Sequence, residues 1–136
     1  MKKEFTILVA DRNPHVRKFL ERELSLEGFR VLLAENANMI LRKSHHPEPI
    51  DLIIIDSDYF DGSQGALIEQ LQNRIPMLPV VIHSFQSDDE LYSADDGYTI
   101  FIEKREDSIE QLKKIANDIF QKVTTQFKQK EQLFQG

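Results

Sequence analysis

Three aspartates, Asp56, Asp58 and Asp61, fall within six residues directly after the apolar run Leu52–Ile55. Carboxylates so close together repel one another, so the cluster calls for a cation, a proton or a reaction to account for it. Three further chemistry-bearing side chains stand at comparable places, each at the end of a short apolar run: Asp11, Ser84 and Lys104. Two carboxylates, a hydroxyl and an ammonium converging on one crest would be far more specific than any of them alone. Such convergence is expected in open α/β sheets, where ligands bind outside the carboxyl ends of the strands at the point where the strand order reverses.

The elements that must position these groups are legible as an alternation of strands and helices, which signals an α/β domain with a parallel sheet. The first strand is predicted over Thr6–Ala10, ending at Asp11. Asn13 suits a helix N-cap and Pro14 the first helical position. Val16, Phe19, Leu20, Leu24 and Leu26 supply an apolar face, and Gly28 stops the helix. A second strand over Phe29–Ala34 alternates in the manner of an edge strand. A short helix follows around Ala37–Lys43, ended by Pro47 and Pro49. The β-branched run Leu52–Ile55 reads as a strand buried on both faces. A helix over about Gln64–Asn73 leads to a fourth strand, Val80–His83, ending at Ser84. Ser87 and Glu90 have capping-box spacing for a short helix cut off by Asp95, Asp96 and Gly97. The fifth strand is Thr99–Ile102. A last helix begins near Asp107, with Ile109, Leu112, Ile115, Ala116, Ile119 and Val123 on one face. Beyond Thr124 the chain is polar and reads as a frayed helical extension, so the expected division is a domain over 1–123 and a tail over 124–136.

Composition narrows the function classes. A chain of 136 residues is expected to form one module. It has no cysteine, which leaves no disulfide framework and no thiolate nucleophile and fits a reducing cytoplasm. The start, MKKEFTILVA, is too briefly apolar for a signal peptide or a membrane span. A formal net charge of −6 argues against a nucleic-acid surface, which needs clustered Lys and Arg.

The residues also carry a resemblance, to the receiver domains of two-component response regulators, over Thr6 to about Lys122. ILVADRNPHVR resembles the family's first strand and acidic turn, GFRVLLAEN its second strand and DLIIID its phosphoacceptor strand. LPVVIHS is similar to its fourth strand with a hydroxyl, and FIEK to its fifth strand with a lysine. The resemblance implies a flavodoxin-like, three-layer α/β/α fold with a five-stranded parallel sheet in the order 2-1-3-4-5. It implies Asp56 as the acceptor of a phosphoryl group from a histidine kinase or phosphotransfer protein, with Lys104 and Ser84 binding the phosphate oxygens. Ser84 and Phe101 match the positions that report the switched state. A Mg²⁺ ion would be held by Asp11, Asp56 and the backbone carbonyl of Asp58. Regulation of a downstream protein is implied, and a homodimer through the fourth strand, fifth strand and last helix is a habit of the family.

Several residues depart from the family's pattern. Arg12 stands where a second acid is usual, turning a metal carboxylate into a cation, so Mg²⁺ binding is expected to be weakened or absent. The guanidinium either pairs with Asp56 in the metal's stead or points into solvent. The loop from Asp56 to Gly62 is short and lacks the family's proline. Arg105 follows Lys104 where a proline with a cis bond is usual, and Phe85 replaces a small residue beside Ser84.

Three readings follow. The first is a phosphorylatable receiver that regulates a partner. The second is a receiver-like adaptor that works without phosphate. The third is an enzyme, since Asp56-Ser57-Asp58 resembles the nucleophile motif of haloacid-dehalogenase-like phosphatases, although that motif belongs on a first strand. His45 and His46 precede Pro47 in a polar loop with no third metal ligand nearby, and His15 and His83 carry no pattern.

Overall fold

The computed structural model describes residues 5–35, 39–40, 50–56, 78–84 and 99–135, with side chains up to Lys122. Five strands, β1 (Thr6–Ala10), β2 (Arg30–Ala34), β3 (Leu52–Asp56), β4 (Val80–Ser84) and β5 (Thr99–Glu103), form one sheet in the order β2-β1-β3-β4-β5. All four pairings are parallel. Two helices are described in full, α1 (Pro14–Leu26) and α2 (Ser108–Gln135). The expected sheet order is therefore present, and its reversal lies between β1 and β3.

Strand alternation divides the core in two. Leu8, Ala10, Ile53, Ile55, Val80 and Ile82 face one side, where Ile40 and Met39 pack on them. Ile7, Val9, Leu52, Ile54 and Val81 face the other, beneath Leu20 and Leu24 of α1 and Ile109, Leu112 and Ala116 of α2. Both faces of the three central strands are thus covered, which explains why they are apolar almost throughout. The edge strands β2 and β5 are half-buried for most of their length.

Helix α1 starts and stops as its sequence requires. The Asn13 side chain accepts a hydrogen bond from the His15 amide at 2.9 Å, and Pro14 loses nothing at a position whose N–H has no helical partner. At the other end Gly28 takes φ +97°, and the amides of Gly28 and Phe29 return to the carbonyls of Ser25 and Leu24. That closure corrects the predicted start of β2. Phe29 is occupied in capping the helix, and the ladder begins at Arg30, whose amide donates to the Phe5 carbonyl.

The apolar face of α1 is narrower than expected. Leu20 and Leu24 are buried and Val16 is half-buried, but Phe19 and Leu26 are 41% and 76% exposed. The buried stripe follows the i, i+4, i+8 row, and Phe19 and Leu26 lie off it. The Phe19 ring is instead covered by the Arg22 guanidinium, 5.6 Å from its centroid.

Three strands run one residue further than predicted, to Asp56, Ser84 and Glu103, so two of the polar strand-end residues belong to the sheet itself. The backbone of α2 is helical through 124 to Gln135 without a break. The predicted helices over 64–73 and 87–94, most of the one over 37–43, and residues Phe85, His45 and His46 lie outside the described residues.

Candidate functional site

Asp11 lies one residue beyond β1 and Asp56 ends β3, and these strands are neighbours. Both carboxylates are buried. Lys104, one residue beyond β5, starts two strands away from Asp56 and reaches back along the sheet's carboxyl edge. Its Nζ stands 3.0 Å from Asp56 Oδ1 and 3.3 Å from Asp11 Oδ2. The Lys104 side chain is only 9% exposed, so the three charges form one desolvated group. Removing charges from water is costly, and a buried ammonium is tolerated here because two carboxylates face it. The Lys104 amide donates to the Ser84 carbonyl at 2.7 Å, which ties the start of the lysine to the end of β4.

Asp11 has divided duties. Its Oδ1 accepts the Asn13 amide at 2.9 Å, shaping the turn into α1, and its Oδ2 faces Lys104. Burial raises its carboxyl above the ordinary range. The Asn13 N–H opposes that, the nearby Asp56 charge adds to it, and Lys104 opposes it again; the net direction is upward.

Ser84 ends β4 and is buried, beyond the Asp56–His83 register pair. Phe101 lies on β5, three residues before Lys104. It pairs in register with Ile82 and packs, half-buried, against the core on the side away from α1 and α2. Arg12 is exposed, and among the described residues its guanidinium pairs with neither Asp56 nor Asp11. Of the two placements open to Arg12, pairing with Asp56 or pointing into solvent, the second is the one found, and Lys104 stands at Asp56 instead. Asp58 and Asp61 lie outside the described residues.

Three residues were not singled out by their sequence positions. Arg17 donates from Nη1 to the carbonyls of Asp11 at 2.7 Å and Arg12 at 3.3 Å, and its Nη2 lies 3.8 Å from Glu35, so it clamps the acidic turn. His83 and Ser108, both buried, face each other with Nε2 and Oγ 3.0 Å apart. The one available signal for His83 was its position within the buried run VVIHS, where a polar ring needs a partner.

A sequence model described as the response regulator receiver domain matches residues 7–122. The chain belongs to that family. Solved receivers of the same fold include a response regulator receiver domain protein from Clostridium thermocellum, 20% identical with a TM-score of 0.75, covering 89% of this chain and 98% of that one. A two-component response regulator from Clostridium difficile is 21% identical with a TM-score of 0.76, over 88% and 98% of the two chains. The response regulator TrrA from Thermotoga maritima, in complex with Mg²⁺-BeF, is 22% identical with a TM-score of 0.72, over 85% and 98%. No curated protein matches the sequence.

This receiver is a signalling domain of two-component systems, a family whose members bind Mg²⁺ at an acidic pocket and interact with histidine kinases and downstream effectors. The donor set here fits such an ion: two buried carboxylates meet at one ammonium, and hard oxygens suit Mg²⁺. Among the described residues no three acids or histidines cluster around a common point, and no helix is long and apolar enough to cross a membrane.

Proposed function

We propose that Asp56 accepts a phosphoryl group from a histidine kinase or phosphotransfer protein, and that the modified receiver regulates a protein partner. The observation that carries this reading is the position of Lys104 Nζ, 3.0 Å from the Asp56 carboxylate and 3.3 Å from Asp11. An Asp56 oxygen attacks phosphorus in line, the phosphorus–nitrogen bond of the donor phosphohistidine breaks, and the imidazole leaves with the bonding electron pair. The Lys104 ammonium then follows the new charge and pairs with a phosphoryl oxygen, and the Ser84 hydroxyl donates to another. Asp11, Asp56 and the Asp58 carbonyl would hold Mg²⁺, which when bound neutralises charge on the phosphoryl oxygens.

Arg12 acts on this site at a distance. Exposed and unpaired with the acids, it opposes a divalent cation through its field alone, a weaker effect than direct occupation. Phe101 and Ser84 serve as the reporting pair of the switched state. The signalling domain spans 1–123, the extension 124–136 belongs to partner contacts, the protein works in the cytoplasm, and β4, β5 and α2 supply the surface for a homodimer.

The decisive experiment is a titration with Mg²⁺ and beryllofluoride, followed by amide spectra. Changes should centre on Asp56, Ser84 and Lys104, and Asp56→Asn should abolish them and all phosphorylation by a cognate donor. Spectra unchanged at saturating beryllofluoride would remove the mechanism. Partner binding unaffected by Asp56→Asn would favour an adaptor that works without phosphate.

A further inference from the structure

The segment that presents Lys104 to the two carboxylates is held at its side chains by the Lys104 ion pairs and by Arg105 on Glu103 at 2.6 Å, and its backbone has supports of a different kind. Neither Lys104 nor Arg105 is a proline whose ring would fix φ, and they follow directly on β5, an edge strand. On the side of α1 this segment borders a hollow of about 430 Å³ that Val16, Phe19, Leu20, Ile109, His83 and Ser108 also line. Its backbone is tied by hydrogen bonds. The Lys104 amide is tied to the Ser84 carbonyl at 2.7 Å. The Arg105 carbonyl receives both the Ser108 amide at 3.1 Å and the Ser108 hydroxyl at 2.8 Å.

A serine hydroxyl carries one proton. With that proton given to the Arg105 carbonyl, Ser108 Oγ meets His83 as an acceptor, and the 3.0 Å contact is a bond donated by His83 Nε2–H. The order is then His83 Nε2–H to Ser108 Oγ, and Ser108 Oγ–H to the Arg105 carbonyl. His83 immediately precedes Ser84, whose own carbonyl holds Lys104. The end of β4 therefore grips the lysine segment twice, once through the backbone and once through a buried side-chain relay.

We infer that His83 and Ser108 are positioning residues for Lys104: their relay holds the Lys104–Arg105 backbone so that the ammonium stays between Asp11 and Asp56. A histidine and a serine buried in an otherwise apolar layer cost desolvation, and fixing the charged group accounts for their presence. The consequence for phosphoryl transfer rests on the reading of Asp56 as the acceptor. The consequence for Lys104 geometry does not.

The test combines two readouts on Ser108→Ala, His83→Leu, His83→Gln and the Ser108→Ala/His83→Leu double variant. The first is the ¹H–¹⁵N resonance of Lys104 Nζ, together with its backbone amide. The second is the rate of Asp56 phosphorylation by phosphoramidate with Mg²⁺. Ser108→Ala should shift and broaden the Nζ resonance and slow phosphorylation by about tenfold or more, as expected for displacement of a charge-stabilising group. His83→Gln, which offers an N–H at similar reach, should stay close to wild type. The double variant should be no slower than the worse single variant, because both remove one relay. An unmoved Nζ resonance in Ser108→Ala would overturn the inference, as would a rate loss accompanied only by lowered unfolding stability. Should His83→Leu fail to fold, Ser108→Ala decides the matter. If the wild-type protein takes up no phosphate, the proposed function fails while the Nζ resonance still decides the relay.

Discussion

At Lys104 one ammonium faces two carboxylates, so the buried group keeps one negative charge when both acids are ionised. The strain of that arrangement falls on Asp11, whose carboxyl is raised chiefly by burial. A carboxyl whose folded-state pKa lies above its unfolded value stabilises the fold when protonated and loses that contribution as pH rises through the two values. Asp11→Asn should therefore be more stable than wild type at pH 7, with the margin shrinking as pH falls toward the unfolded value of 3.8. Urea unfolding at the two pH values measures the difference, and a margin independent of pH would contradict the assignment. Arg12 belongs to the same scale. Arg12→Asp exchanges a repelling charge for an attracting one, and calorimetry should find Mg²⁺ bound roughly three- to tenfold more tightly, with the gain falling as salt is added.

Helix α2 joins the site to the core at the scale of elements. Its N-terminal Ser108 belongs to the site, while Leu112 and Ala116 one and two turns on are buried against the sheet and α1. Phe120 closes the far end with Phe5 and Phe29, ring centroids 5.4 to 6.3 Å apart. Between the helices, Lys113 lies within 4 Å of Glu23 and Glu27 of α1. Leu112→Ala would leave a cavity at the centre of this layer and should cost about 2–5 kcal/mol in denaturant unfolding. The Lys113 contacts lie at the surface and contribute less than that packing. Most of this layer was readable beforehand, because helical periodicity names Leu20, Leu24, Ile109, Leu112 and Ala116 directly. Phe19 and Leu26 were misplaced because an apolar side chain off the buried row is still free to lie on the surface.

Over the whole molecule, the site exists only in the folded chain, since Asp11, Asp56 and Lys104 come from three separate strands. Anything that binds it must stabilise the fold by mass action. Mg²⁺ with beryllofluoride at a hundredfold excess over its Kd should add about 2.7 kcal/mol and raise Tm accordingly. The same ligand should leave the Tm of Asp56→Asn unchanged, and differential scanning calorimetry of the two proteins makes the comparison. The shared sheet also argues for one unfolding transition, because β1, β3 and β4 contribute to both cores.

Local chemistry in the chain was enough to determine the five strand runs to within one residue at an end, the caps at Asn13 and Gly28, the buried Leu20 and Leu24 of α1 and Ile109, Leu112 and Ala116 of α2, and the four polar residues at strand ends. Each of these depends on residues near one another in sequence, through backbone preference, periodicity or burial. The tertiary structure alone decided which charges meet. It set Lys104, rather than Arg12, against Asp56, and it brought His83 to Ser108 and Arg17 to the carbonyls of the acidic turn. Such pairings depend on which strands lie side by side and where each side chain leaves its backbone. Asp56 keeps the prominence its strand end suggested, and its partner is an ammonium carried by another strand two places across the sheet.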